Sequence, residues 1–183
     1  MANLLVKDGA DVTKYISASG AGLDADPFVL VRSAPTWGKN VPIVLTVTNG
    51  LYTIGDVVGG LLTFANAVRV SGGKSKIVSV TLGGVAALGY NLWFLNANIG
   101  TPALDNAVFT LVVADMVKSL GVVPIVAADY KPAASAFNVG TIKNVGLQVQ
   151  AVATTLYAYL VATEVTSPGT TRLDLNVGFE YMD

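Results

Sequence analysis

Short apolar runs broken by turn residues recur along the whole chain. "VPIVLTVT" (41–48), "VVGGLLTF" (57–64), "KSKIVSVTL" (74–82), "YNLWFLN" (90–96), "GVVPIVA" (121–127) and "LDLNVGFEYM" (173–182) are rich in β-branched and aromatic residues. Such runs read as strands. "TNG", "SGGK", "LGG", "NIGTP" and "SPGTT" lie between them and supply turn chemistry. Residues 145–151 alternate Val145, Leu147, Val149 and Ala151 with Gly146, Gln148 and Gln150. That period of two predicts a half-buried strand, and "TTLYAYLVAT" (154–163) predicts a second one. At the N-terminus, "NLLVK" and "VTKYISAS" flank "DGAD". Gly9 tolerates positive φ there and aspartate caps the backbone, so the first twenty residues predict a β-hairpin.

One segment resists the strand pattern. In "LDNAVFTLVVADMVKSLG" (104–121), Val113, Val117 and Leu120 have helical spacing ahead of Gly121. A helix near Ala114–Leu120 would place Asp115 near its start and Lys118 near its end, in accord with the helix dipole. The expected architecture is therefore all-β: a β-sandwich, jelly-roll-like or β-barrel-like domain over 37–183, one short helix, and an N-terminal β-hairpin arm over 1–36. "TWGKN" (36–40) has the character of a connector between them. No internal repeat or low-complexity tail is apparent.

Composition narrows the function. The 183 residues contain no Cys and no His. Disulfides, thiolate chemistry and imidazole bases or ligands are thereby excluded. Eleven basic and twelve acidic residues leave a net charge of −1, so there is no basic field for nucleic acid. Charged residues are 13% of the chain, about half the usual share, and hydrophobic residues are 52%. A monomer this apolar struggles to clothe itself in polar groups, which points to burial against other chains. A membrane could absorb the same surplus. However, the uncharged stretch Asn144–Thr163 is interrupted by Gln148, Gln150, Thr154 and Thr155 and reads as strands, and the N-terminus lacks a signal-peptide core.

Candidate chemistry is sparse. Asp8, Asp11, Asp24 and Asp26 cluster early, but Pro27 and Phe28 interrupt any calcium-loop pattern, and the only glutamates are Glu164 and Glu180. "SGAG", "GDVVGG" (55–60) and "SGGKS" (71–75) lack phosphate-loop or dinucleotide spacing and read as turns. Ser75 lies between Lys74 and Lys76, yet Ser75 itself opens no S-x-x-K and sits in no G-x-S-x-G pattern. Trp93, Phe94, Tyr157 and Tyr159 could form a ligand platform, but core or interface is the simpler reading; Tyr157 and Tyr159 should share one sheet face. Neither an enzyme nor a metal- or cofactor-dependent protein is expected.

The order of motifs carries a resemblance. "LLVKDGADVTKYISASGAGLDADPF", "TNGLYTIGDVVGGLLTF", "SGGKSKIVSVTL", "LWFLNA", "ALDNAVFTLVVADMVKSLGVV", "LQVQAVATTLYAYLVATE" and "LDLNVGFEYMD" together resemble the capsid decoration, or cement, proteins of tailed bacteriophages. Leu23 stands where that pattern would have a small polar turn residue. The resemblance implies a virion structural protein on the capsid exterior, made in the host cytoplasm. It also implies that the protein binds the major capsid protein and itself, as a homotrimer or a dimer, with no catalytic residues. The arm's apolar residues Leu4, Val6, Tyr15, Ile16, Phe28, Val29 and Val31 need a partner surface and are the expected capsid or subunit contacts. The alternatives are another phage part, such as a tail or fibre component, or a carbohydrate- or peptide-binding β-sandwich.

Overall fold

The computed structural model describes residues 3–7, 13–17, 38–134 and 136–182, and the chain divides into two units, Met1–Ala34 and Pro35–Asp183. In the first unit, β1 (Asn3–Lys7) and β2 (Thr13–Ser17) form the expected antiparallel hairpin. Leu4 pairs with Ile16 and Val6 with Lys14, while Tyr15 pairs with Leu5 on the adjacent rung. Asp8, Asp11, Asp24, Asp26, Phe28, Val29 and Val31 lie outside the described residues.

The second unit contains two antiparallel sheets. The larger has the order β3 (Gly38–Thr46), β11 (Arg172–Tyr181), β5 (Lys74–Gly84), β9 (Phe137–Gln150), β8 (Tyr130–Ala134). The smaller has the order β4 (Val57–Phe64), β10 (Leu156–Ala162), β6 (Tyr90–Leu95), β7 (Ser119–Ile125). No strand ladder joins them among the described residues, so the fold is sandwich-like and the closed-barrel alternative does not hold.

Alternation along each strand builds the core. Leu173, Leu175 and Val177 of β11 point inward, as do Leu92 and Phe94 of β6 and Leu156, Ala158 and Leu160 of β10. Phe64 of β4 ties the layers together: its ring centroid lies 5.8 Å from Phe94 in its own sheet and 5.7 Å from Phe179 in the other. Offset and edge-on aromatic pairs at this separation add to the area term of burial. The segment considered as a membrane span is the end of β9, a loop and β10, and no described helix is long and apolar enough to cross a bilayer.

Several expectations need correction. β3 begins at Gly38, so Gly38, Lys39 and Asn40 are paired strand rather than connector. β8 was not anticipated, because Pro132 and its alanines carry little strand propensity; it forms by pairing with β9. Gly59 and Gly60 do not make a turn. They sit inside β4 at φ 79° and 74°, where the register against β10 shifts, as a bulge that only glycine adopts cheaply. Finally, the helix α1 covers only Val113–Met116. Leu120 belongs to β7, because pairing with β6 captures the chain from Ser119 onward.

Candidate functional site: an apolar face on the long connection

The β6–β7 connection covers the outer face of the smaller sheet. Residues 103–112 turn at Asp105–Asn106, and on both sides of that turn exposed positions alternate with less exposed ones. Ala103, Phe109 and Leu111 turn inward onto Tyr159, Val161 and Leu95, making a second apolar cluster on the far side of the sheet from the main core. Phe109 stands 5.5 Å from Trp93 and 5.2 Å from Tyr159. The predicted shared face of Tyr157 and Tyr159 is therefore real, and it is covered: Tyr159 is fully buried and Tyr157 partly so. Phe94 faces the opposite way, into the main core.

The outward positions of the same segment are also apolar. Leu104 is 75% exposed and Val108 66%. Val112 continues the row, and α1 adds Val113, Met116 and, at its C-cap, Val117; Val113 is 83% exposed and Val117 82%. Of the three residues read at helical spacing, Val113 and Val117 thus face outward, while Leu120 packs against the main core. Ile54 is exposed beside this row, because Asp56 and Val108 form a β-bridge and the Phe109 N–H donates to the Gly55 carbonyl at 2.8 Å. Leu51 is exposed two residues earlier on the same loop as Thr53. A groove of about 680 Å³ follows the row, bordered by Thr101, Pro102, Leu104, Val108, Val112 and Asp115.

Fully burying an aliphatic side chain removes roughly 60–120 Å² of apolar surface, the area matching its transfer energy at about 25 cal/mol/Å². At their observed exposures, these eight side chains present on the order of 500 Å². A standard protein interface takes about 800 Å² from each partner, roughly 60% of it apolar. The face is thus about the size of one.

No cation lies in residues 47–64 or 96–117, Lys118 follows directly and is paired with Asp115, and the three carboxylates there all accept hydrogen bonds from the fold. Asp56 is buried and accepts from the Thr53 N–H at 2.6 Å and the Thr53 hydroxyl at 2.8 Å. Asp115 pairs with Lys118 at 2.7 Å and accepts from the Gly100 N–H at 3.2 Å. The Lys118 hydrogen bond, reinforced by Gly100, holds its carboxyl below the usual range despite partial desolvation.

Asp105 is the anchor of the whole connection. Its Oδ2 accepts from the Thr48 N–H at 2.7 Å and the Thr48 hydroxyl at 2.6 Å. Its Oδ1 accepts from the Tyr52 hydroxyl at 2.8 Å and the Gly59 N–H at 2.6 Å. The β4 bulge is what aims that N–H. Burial acts to raise the Asp105 pKa, but the hydrogen bonds from Thr48, Gly59 and Tyr52 outweigh it and leave the carboxyl below its ordinary value. Conversely, burial, together with the neighbouring carboxylate, pushes the Tyr52 phenol well above its ordinary value. Sequence reasoning missed Asp105. Its one local signal is Asn106, which adopts φ 60° in the turn that presents it.

The catalytic candidates do not converge. Ser75 is fully buried on β5 opposite Val149, while Lys74 is exposed and Lys76 half-exposed on either side of it, as strand alternation requires. Glu164 accepts from the Gly89 N–H at 2.6 Å, and Glu180 pairs in register with Lys76. Among the described residues, no three acidic side chains are grouped as a metal ion would need.

Fold and surface together define a sandwich-like all-β domain that carries an interface-sized apolar face. No protein-family model matches the chain, and no curated protein matches it in sequence.

Proposed function

We propose that this chain is a non-catalytic virion structural protein: a decoration protein that binds the outside of a tailed-phage capsid and stabilises the shell. The observation that carries the reading is the uncharged apolar face of the β6–β7 connection. A domain that presents this much aliphatic surface, with its nearby carboxylates tied up in hydrogen bonds, is built to be covered by protein. The resemblance in motif order supplies the particular assembly. The hairpin β1–β2 supports the same reading, since a two-stranded sheet of five-residue strands is marginal alone and gains stability by docking on a partner. In this proposal the arm, with Leu4, Val6, Tyr15 and Ile16, contacts the major capsid protein. The carbohydrate-platform alternative needs open aromatic rings, and Tyr159 is buried under Phe109.

The test is cosedimentation with undecorated shells of the major capsid protein encoded alongside this chain. The full chain should bind at fixed stoichiometry and raise the temperature at which the shells fall apart. Deleting residues 2–32 should leave the main domain folded and abolish attachment. A full chain that stays in the supernatant at every concentration would refute the decoration reading. A truncated chain that binds as tightly as the full one would remove the arm from it.

A further inference from the structure

The apolar face carries an inference that does not depend on a capsid. We propose that it is self-complementary, and that the same face of a second copy covers it around a two-fold axis. Three observations lead there. The first is size: the apolar area offered matches what one side of a stable interface contains. The second is charge. A two-fold contact sets a patch against itself, so unpaired charge on it meets its own kind; here Asp56, Asp105 and Asp115 each accept hydrogen bonds from the fold, and Lys118 at the edge is neutralised by Asp115. The third is the rest of the surface. The other exposed aliphatic side chains stand singly or in pairs, such as Val44 on β3, or Val70 near Val152 through the Ser71 hydroxyl's bond to the Val152 carbonyl. Among the described residues, eight of the sixteen exposed large hydrophobic side chains belong to this face, and the rest are distributed over β3, β7 and the remaining loops. An isologous contact sets this densest apolar surface of one copy on the same surface of the other. The groove between Leu104 and Val112 offers room for the row of the opposing copy.

The experiment is sedimentation velocity on the full chain over a dilution series, with hydrogen exchange measured at its two ends. The expected species is a dimer of 18.9 kDa chains, in which amides within 103–117 exchange more slowly at high concentration. Val113→Lys and Val117→Lys change side chains that stand almost free of the fold, so they should leave the thermal melt of the monomer unchanged while weakening dimerisation at least tenfold. Val44→Lys, on the opposite sheet, should leave the dimer intact. A chain that stays monomeric at the highest concentration, a three-fold species, or a dimer indifferent to both substitutions would each overturn the proposal. A dimer that forms as described but never binds shells would refute the decoration reading and leave this one standing.

Discussion

Replacing Asp105 with alanine removes the acceptor for four hydrogen bonds at once, and the structure indicates how much each loss should cost. The two donors from Thr48 are exposed, so water replaces their partner at little cost. The Tyr52 hydroxyl and the Gly59 N–H are partly buried, and water reaches them poorly. A hydrogen bond to a charged group contributes roughly 1.5–3 kcal/mol, and a buried donor left unpaired adds its desolvation cost. Asp105→Ala should therefore lose about 3–4 kcal/mol, a large share of the roughly 5–15 kcal/mol typical of a domain. Asp105→Asn keeps one carbonyl oxygen as acceptor and should lose about 1–2 kcal/mol. The assay is urea unfolding followed by tryptophan fluorescence, because Trp93 lies against Phe109 under the connection that Asp105 anchors. Hydrogen exchange should quicken in 103–112 first.

The effect has a pH signature with a definite sign. The folded-state pKa of Asp105 is depressed, so its contribution is complete above the unfolded-state value of about 4 and fades as pH falls through the folded value. The stability gap between the wild type and Asp105→Ala should stay constant from neutrality down to that point and narrow below it. A loss under about 1 kcal/mol, or a gap that does not narrow in acid, would refute the assigned role.

Three further substitutions test the packing. Gly59→Ala places a methyl 2.9 Å from Leu45, itself buried in the core, at φ 79°; it should cost about 3 kcal/mol by thermal or urea unfolding. Gly72→Ala has a similar φ of 74° but open space, so it isolates the backbone penalty and should cost about 1 kcal/mol. Ser75→Ala should stabilise the domain by about 0.5–1 kcal/mol in the same assay, because the Ser75 hydroxyl is buried without a hydrogen-bond partner; a net loss would mean that the hydroxyl is satisfied.

By itself the sequence determined the strands and where most of them break. Period-two alternation is written locally: Val145, Leu147 and Val149 fix which face of β9 can be buried, and the two short β-prone runs at the N-terminus mark the strands that pair as β1 and β2. The same locality explains why Tyr157 and Tyr159 were correctly placed on one face. What it could not encode is which neighbour covers a face. The strand orders β3-β11-β5-β9-β8 and β4-β10-β6-β7 are set by contacts between distant segments, and β8 exists only because β9 was there to pair with it. Val113 and Val117 kept their helical spacing, but pairing of Ser119 with Leu95 ended the helix after one turn and left both residues facing outward. Asp105 looks like an ordinary turn aspartate until Thr48, 57 residues earlier, and the Gly59 bulge are brought to it. Spacing along a chain specifies geometry within one element. Burial, hydrogen-bond partners and an uncovered apolar face are properties of pairs of elements, and only the packed structure brings those pairs together.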